Sequence, residues 1–268
     1  MERRTAILLA GVGILCCLSL LVAALYPFST AEPRGANQTV EGFSLGEPDA
    51  YSVTGSIVVD GEERFGLEGV VTADGGAYQE LREDGHHSEQ YQAGPNGSVY
   101  ERRRVPAEDA PRLRERITGD DAQTLLAEND SGDRVTFVVE RNEGNIAAEV
   151  GGSASVVVES LDVVAYEARG TDSGSAHTYE PRANWYEGAE SYRVTGTDGE
   201  VTVRPERGTI AAANVSWAVT DPAGSLAQYL LVRQTSDDPR NYEISLDVER
   251  GEQTVERPEW VVAATAAE

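Results

Sequence analysis

Apolar and polar residues alternate along most of the chain from residue 51 onward. In the first run, Tyr51 and Val53 fall on one side of a strand, and hydroxyl-bearing residues fall on the other. The dipeptide Asp60-Gly61 ends this run, and similar Asp-Gly or Asn-Gly pairs separate the runs that follow. Because such pairs adopt the positive φ of tight hairpin turns, their recurrence every ~10–14 residues up to residue 105 predicts an antiparallel meander.

The pattern changes after residue 106. Residues 107–116 and 118–129 read as two short helices, with Thr118 placed to cap the second. Alternation then indicates strands at 134–140, 145–150 and 155–168, whereas 170–188 reads as a long loop or weak strand. Further strands are predicted at 191–196, 200–204, 209–219, 227–235 and 242–249. The segment 227–235 is apolar on both faces at its centre, which predicts a central strand.

These elements predict a mainly β (α+β) fold of roughly a dozen antiparallel strands and two short helices. One curved sheet or half-barrel packed on the helices accounts for them best, and a β-sandwich of two sheets is the alternative. The predicted organisation is a cytoplasmic N-terminus (1–5), a transmembrane helix (6–28), a juxtamembrane stalk (29–48) and an extracellular antiparallel β domain (49–264).

The predicted transmembrane helix, AILLAGVGILCCLSLLVAALYPF, contains no charged side chain. As a helix its 23 residues span ~34 Å, which exceeds the ~30 Å hydrocarbon layer of a bilayer. Arg3 and Arg4 precede it, so the positive-inside rule places the N-terminus in the cytoplasm and makes this a single-pass protein of the cell membrane. Two alternatives remain: cleavage of a signal peptide near Ser29-Thr30-Ala31, and lipid attachment at Cys16 or Cys17.

The net charge is −24, with 46 acidic and 22 basic residues, and every basic residue is arginine. So acidic a surface repels nucleic acid, which requires clustered cations. It also repels itself at low salt, whereas ~1 M salt screens charges beyond ~3 Å. We therefore interpret the composition as adaptation to a strongly saline medium. Both cysteines lie in the apolar run, so disulfide bonds and cysteine-based zinc sites are not expected in the outer domain.

Tyr51 opens the first meander, Tyr100-Glu101-Arg102 closes it, and Arg257-Pro258-Glu259-Trp260-Val261 follows the last strand. In this order of elements the chain resembles haloarchaeal membrane-anchored proteins of unknown function that are related to the bacterial lipoprotein-carrier fold. Members of that group often carry a lipid-modified cysteine in a motif that this chain lacks. The resemblance implies a curved sheet that encloses an apolar ligand cavity and is closed by helices.

A concave sheet of this kind predicts a binding module for a lipid or another apolar ligand. Alternate residues of the predicted strands, together with one aromatic residue in the 170–188 segment, would line the pocket. The candidate pocket residues are Tyr51, Val53, Leu67, Trp185, Tyr242 and Ile244. The alternative is a structural or interaction protein of the cell envelope that binds another envelope protein and holds no small ligand.

Four Asn-x-Ser/Thr sequons follow the predicted membrane span. They begin at Asn37, Asn96, Asn129 and Asn214. Their position on the predicted outer side makes them candidate N-glycosylation sites.

No motif for catalysis, metal or cofactor binding emerges, so we do not expect an enzyme. The chain has no Gly-x-Ser-x-Gly sequence, no cysteine beyond the apolar run and no lysine for a phosphate-binding loop. The pair His86-His87 points to opposite faces of a strand and makes a poor metal site. Arg102-Arg103-Arg104 is the one basic run, and we interpret it as pairing with nearby carboxylates or, alternatively, as a docking point for an anionic partner.

Overall fold

The structure is a computed structural model. It describes residues 43–46, 48–169, 176–187, 191–204, 208–223, 228, 231–232 and 239–266. The strands in these ranges are β1 (Tyr51–Val59), β2 (Glu62–Val71), β3 (Ala77–Glu83), β4 (His86–Gln92), β5 (Val99–Pro106), β6 (Gln123–Asp130), β7 (Arg134–Arg141), β8 (Ala165–Arg169), β9 (His177–Arg182), β10 (Asn184–Glu187), β11 (Ser191–Arg204), β12 (Thr209–Val219) and β13 (Arg240–Arg250). The helices with stated bounds are α1 (Ala110–Thr118), α2 (Ile146–Ser160), a 3₁₀ turn (Leu161–Val163) and α3 (Glu259–Thr265).

All thirteen strands belong to one antiparallel sheet. Its order is β6-β7-β5-β4-β3-β2-β1-β13-β12-β11-β9-β8, and β10 pairs with β11 beside this path. The last strand, β13, returns to pair with β1 in an unbroken register from Tyr51 opposite Arg250 to Val59 opposite Tyr242. The mainly β, antiparallel prediction is confirmed, and the two-sheet sandwich is excluded for the described strands.

The two faces of the sheet differ in what covers them. Helices α1 and α2 both pack on one face of the sheet, which we call the helix face. The β5 residues in the core under α1 and in the core under α2 point to the same side of that strand. The opposite face, which we call the polar face, carries charged and hydroxyl side chains. Helix α3 crosses the polar face, where Trp260 lies under the guanidinium of Arg102 at 5.4 Å.

The predicted helix at 118–129 is wrong. Helix α1 ends at Thr118, and residues from Gln123 to Asp130 form strand β6 instead. The reason lies in the turn that follows, where Gly132 has φ of +94° and donates its N–H to Asp130 at 2.8 Å. This turn folds β6 back onto β7, so all residues of β6 except Leu126, which lies in a bulge, gain a cross-strand partner that an isolated helix lacks.

The predicted strands at 145–150 and 155–168 are also wrong over most of their length, because helix α2 occupies 146–160. Two side chains begin it: Asn145 accepts a hydrogen bond from the N–H of Ala148 at 3.1 Å, and Gln92 accepts one from the N–H of Ile146 at 3.0 Å. A helix N-terminus needs such acceptors for its free N–H groups. Only the C-terminal part of the second segment is a strand, β8.

Helix α2 lies close to the centre of the sheet because glycines make room for it. A Cβ atom on Gly69 would stand 2.6 Å from Cγ1 of Val150, which is closer than carbon atoms approach without displacement. The buried residues of α2 then meet a core drawn from β1, β2, β3 and β13. A second, smaller core lies between α1 and strands β5 and β7.

The remaining differences concern strand boundaries. Residues 191–204 form one long strand where two were predicted, and 177–187 supply two strands where a loop or weak strand was predicted. Most of the predicted strand 227–235 lies outside the described residues, and Gln228, Leu231 and Val232, which are described, are helical. Those three residues are therefore not part of the central strand that was predicted.

The predicted transmembrane helix at 6–28 lies outside the described residues. Among the helices in the described ranges, none combines the length and the apolar character that a membrane span requires. The end of the predicted stalk packs against the outer strands: Phe43 is 7% exposed and makes edge-to-face contacts with Tyr166 and Tyr179 at 4.9 and 5.9 Å between ring centroids.

Candidate functional site

A cleft of about 750 Å³ opens on the helix face, beyond the C-terminal end of helix α2. Strands β1, β12 and β13 form its floor through Ile57, Trp217 and Ile244, and Val163 of the 3₁₀ turn forms one wall. The other described residues that line it are Asp60, Ser160, Tyr192, Val219, Thr220, Asp221, Pro222, Pro239, Arg240 and Tyr242. The apolar residues lie on the floor strands, whereas several polar residues belong to the turns at the ends of the strands.

Two aromatic rings organise the floor of the cleft. Trp217 of β12 and Tyr242 of β13 are cross-strand partners, and their rings stack with centroids 5.8 Å apart and planes 9° from parallel. Trp217 is 3% exposed, whereas Tyr242 is half-buried. The indole N–H of Trp217 is buried without a hydrogen-bond partner among the described residues.

The cleft brings together two of the six predicted pocket residues, Tyr242 and Ile244. Tyr51, Val53 and Leu67 are not among its lining residues, because they lie in the core that faces helix α2 and are 6%, 2% and 0% exposed. The backbone of Trp185 pairs with Arg193 in the β10–β11 ladder. The side chain of Trp185 lies outside the described part of the structure.

Sequence reasoning did not include Ile57, Val163 and Trp217 in the pocket. The alternation places Ile57 and Trp217 on the core side of their strands, where a pocket floor and an ordinary core look alike. Only the pairing of β12 with β13, and of β13 with β1, sets these residues side by side. Val163 follows α2, which the sequence pattern did not predict as a helix.

Three rows of side chains cross the polar face, each at right angles to the strands. One row is acidic over β2, β3 and β4, and it ends in an arginine on β5: Glu68, Glu80, Glu89 and Arg102. The row on one side of it holds Tyr78, Tyr91 and Tyr100. The row on the other side holds Arg82, His87, Arg104, Thr136 and Asn129.

The acidic row neutralises its basic neighbours. Nε of Arg102 lies 2.9 Å from Oε1 of Glu89, and NH1 of Arg82 lies 2.7 Å from Oε1 of Glu80. Nε2 of His87 stands 3.1 Å from Oε1 of Glu80. Burial, followed by the charges of Glu89 and Glu80, raises the pKa of the Tyr78 phenol, which donates a hydrogen bond to Glu89 at 3.3 Å. This confirms carboxylate pairing for Arg102.

The His86-His87 pair does not converge on a metal position in the structure. His87 lies on the polar face between two glutamates, and His86 is exposed at the start of β4. Among the described residues, no group of three or more His, Cys, Asp or Glu side chains is placed to hold a metal ion.

The candidate glycosylation sites occupy different surroundings. Asn96 is exposed in the turn between β4 and β5, and Asn129 is exposed on the edge strand β6. Asn214 is exposed on the polar face of β12, between two neighbouring strands, and borders a shallow depression with Thr54 and Ser245. Asn37 lies outside the described residues.

The fold therefore presents an aromatic cleft on the helix face and a set of ordered charge rows on the polar face. In comparisons with known proteins, no family model, no curated protein and no solved structure matches this chain.

Proposed function

We propose that this protein is a membrane-anchored, extracellular binding module that holds an apolar or amphiphilic small molecule in the cleft between helix α2 and strands β1, β12 and β13. The stacked pair of Trp217 and Tyr242 on the cleft floor is the observation that carries the proposal. Aromatic faces offer a bound molecule a large apolar contact at little cost in side-chain entropy.

The dimensions of the cleft support this function. Pockets for small molecules measure about 300–1,000 Å³ and are mostly apolar, with a few polar groups that orient the ligand. This cleft, at about 750 Å³, has an apolar floor and places Asp60, Asp221 and Arg240 among its lining residues. A ligand with an apolar body and a polar end fits this distribution.

The organisation of the core supports the curved-sheet or half-barrel form of the proposal. One buried cluster contains side chains from strands on both sides of the sheet, from β5 to β8. The side chains of the single helix α2 belong to the same cluster. Strands lie ~4.8 Å apart, so a flat sheet of this many strands would be far wider than a helix of ~10 Å diameter. A sheet that curves around the helix lets all of these strands share one core.

The membrane anchor, residues 6–28, gives the cleft a source of ligand. A domain held next to a bilayer encounters lipids and other apolar molecules at high local concentration. The lysine-free, acidic surface does not favour anionic lipid headgroups, so the ligand would be recognised through its apolar part.

The test is extraction and mass spectrometry of molecules that co-purify with the full chain, made at high salt in detergent of defined composition. We expect a near-stoichiometric apolar compound. Val163→Phe adds bulk at the cleft wall and should reduce the bound compound several-fold. The matched control is Val156→Phe on α2, where Val156 is 48% exposed and outside the cleft lining, and it should leave binding unchanged.

Two results would contradict the proposal: a clean parental protein, or equal ligand loss in both valine variants. Either would favour a structural or interaction role in the cell envelope. That second role is supported by the exposed edge strand β6, whose outer backbone groups pair with no other described strand. Pull-down of a stable envelope protein with the same sample would then distinguish it.

A further inference from the structure

Arg104 stands at the point where the charge pairing on the polar face stops. Its cross-strand neighbours are His87 on β4 and Thr136 on β7, and Thr136 is in turn opposite Asn129 on β6. This row contains no carboxylate. Arg104 is exposed, and among the described residues it has no ion pair or hydrogen bond, unlike Arg102 beside it.

The surroundings of Arg104 are cationic, although the chain as a whole carries a charge of −24. Arg102 lies two residues before it on the same face, and Arg134 lies two residues before Thr136 on β7. Glu89 is the one acidic residue that lines the concavity at this place, and it is engaged by Arg102. Arg134 donates a hydrogen bond to the carbonyl of Gly85 at 2.7 Å, whereas the guanidinium of Arg104 has no partner among the described residues.

The concavity has a volume of about 250 Å³ and is lined by His87, Glu89, Arg102, Arg104, Asn129 and Thr136. Three of these offer donors without a partner among the described residues: the guanidinium of Arg104, the hydroxyl of Thr136 and the amide of Asn129. They lie on three adjacent strands, β5, β7 and β6, which are ~4.8 Å apart.

We propose that this concavity is a binding site for an oxyanion group, of the phosphate, sulfate or carboxylate class, with Arg104 as the principal ligand. A guanidinium presents two parallel N–H groups to such an anion, and neutral donors on either side complete its hydrogen bonding. Glu89 does not cancel the site, because its charge is already paired. The site lies on the face of the sheet opposite the aromatic cleft and does not depend on the function proposed for that cleft.

The experiment is a calorimetric titration of the detergent-solubilised full chain with inorganic phosphate, sulfate and acetate in turn, at constant ionic strength. The protein is produced in a host without N-glycosylation, so that Asn129 is unmodified. Saturable binding of at least one anion is expected. Arg104→Gln should weaken it about tenfold or more, because it removes the charge-assisted hydrogen bonds of the guanidinium. Asn129→Asp, which places a carboxylate in the row, should abolish it.

Arg112→Gln is the matched control. Arg112 lies on α1, is exposed, and also has no partner among the described residues, so its loss changes the net charge by the same amount. Binding in this variant should equal that of the parent. If anion binding weakened equally in the two arginine variants, the effect would be due to net charge alone, and the proposed site would be wrong. Absence of saturable binding by all three anions in a parent that unfolds cooperatively would overturn it as well.

Discussion

Tyr166 places a phenol among apolar side chains near the outer strand of the sheet. It is 2% exposed, packs against Phe43, and its hydroxyl has no hydrogen-bond partner among the described residues. Burial, and then the nearby charge of Asp162, raises the pKa of this phenol. The ring of Tyr166 therefore stabilises the fold by packing, whereas its unpaired hydroxyl destabilises it. Removing the one oxygen atom separates these two effects on stability.

We expect Tyr166→Phe to stabilise the protein by about 1–2 kcal/mol at neutral pH, since it removes an unpaired buried hydroxyl while retaining the ring. The folded-state pKa of Tyr166 lies above the unfolded value of about 10, so the folded state keeps its proton longer. The stability of the parent should therefore decline as the pH rises above about 10, and the variant should lose less. Chemical denaturation at pH 7 and pH 11 measures both effects. A variant that is less stable at pH 7 would show that the hydroxyl has a partner.

Residue chemistry could be predicted from the sequence only in part. The alternation in 242–249 correctly assigned Tyr242 and Ile244 to the inner face of their strand. Whether an inner residue lines a cleft or fills the core depends on how far helix α2 extends over the sheet, and no local pattern contains that information. The unpaired state of Arg104 likewise depends on strand order, because β5 pairs on one side with β7 and not with the strand that follows it in the chain.

At the level of elements, the contact between helix α2 and strand β2 depends on a missing side chain. Gly69 lies beneath Val150, whereas Gly152 lies on the exposed side of the same helix with no atom near its Cβ direction. The two glycines therefore have opposite roles. One is required by close packing, and the other lowers the stability of the helix through its backbone freedom.

Gly69→Ala should destabilise the protein by about 1–3 kcal/mol, because its methyl group would overlap Val150 and force the helix away from the sheet. Gly152→Ala, the matched substitution on the exposed side of α2, should stabilise it by about 0.5–1 kcal/mol. Urea unfolding of both variants, read against the parent, checks the two signs together. Equal effects of the two substitutions would mean that α2 does not pack on Gly69.

The elements differ in how well the sequence specifies them. Asp-Gly and Asn-Gly turns bound the strands of the first meander, and the predicted strands 209–219 and 242–249 lie close to the observed bounds of β12 and β13. Helix α2 was not predicted, because two glycines and three consecutive valines (156–158) favour a strand locally. Burial against the sheet and the acceptors Asn145 and Gln92 override that preference.

At the level of the whole molecule, the polar face is divided into two parts with different electrostatics. Over β2 to β5 the acidic row is paired with arginines. Over β13 the exposed side chains Glu243, Asp247 and Glu249 have hydroxyl or aliphatic cross-strand neighbours on β1 and β12, and no cation pairs with them among the described residues. Among the described residues of the polar face, β13 thus carries three exposed acids without a cationic partner.

The overall sheet order could not be predicted from the sequence. Hairpin signals fix neighbours that are close along the chain, such as β1 with β2, but the return of β13 to β1 joins residues nearly 200 positions apart. Such pairing is decided by which faces are apolar across the whole sheet. The membrane anchor at 6–28 and the saline environment stay predictions from composition alone.

The concentration of unpaired acids predicts how salt acts on stability. Raising salt from about 0.1 M to about 1 M shortens the screening length from ~10 Å to ~3 Å, which weakens repulsion among these carboxylates. We expect the midpoint of thermal unfolding to rise over this range. The triple variant Glu243→Gln, Asp247→Asn, Glu249→Gln should be more stable than the parent at low salt and should show a smaller salt response, because three mutually repelling charges are gone. Sucrose at matched osmolality serves as the uncharged control. A parent whose midpoint rises equally in sucrose would assign the effect to solvent exclusion, and a triple variant with an unchanged salt response would locate the repulsion elsewhere on the surface.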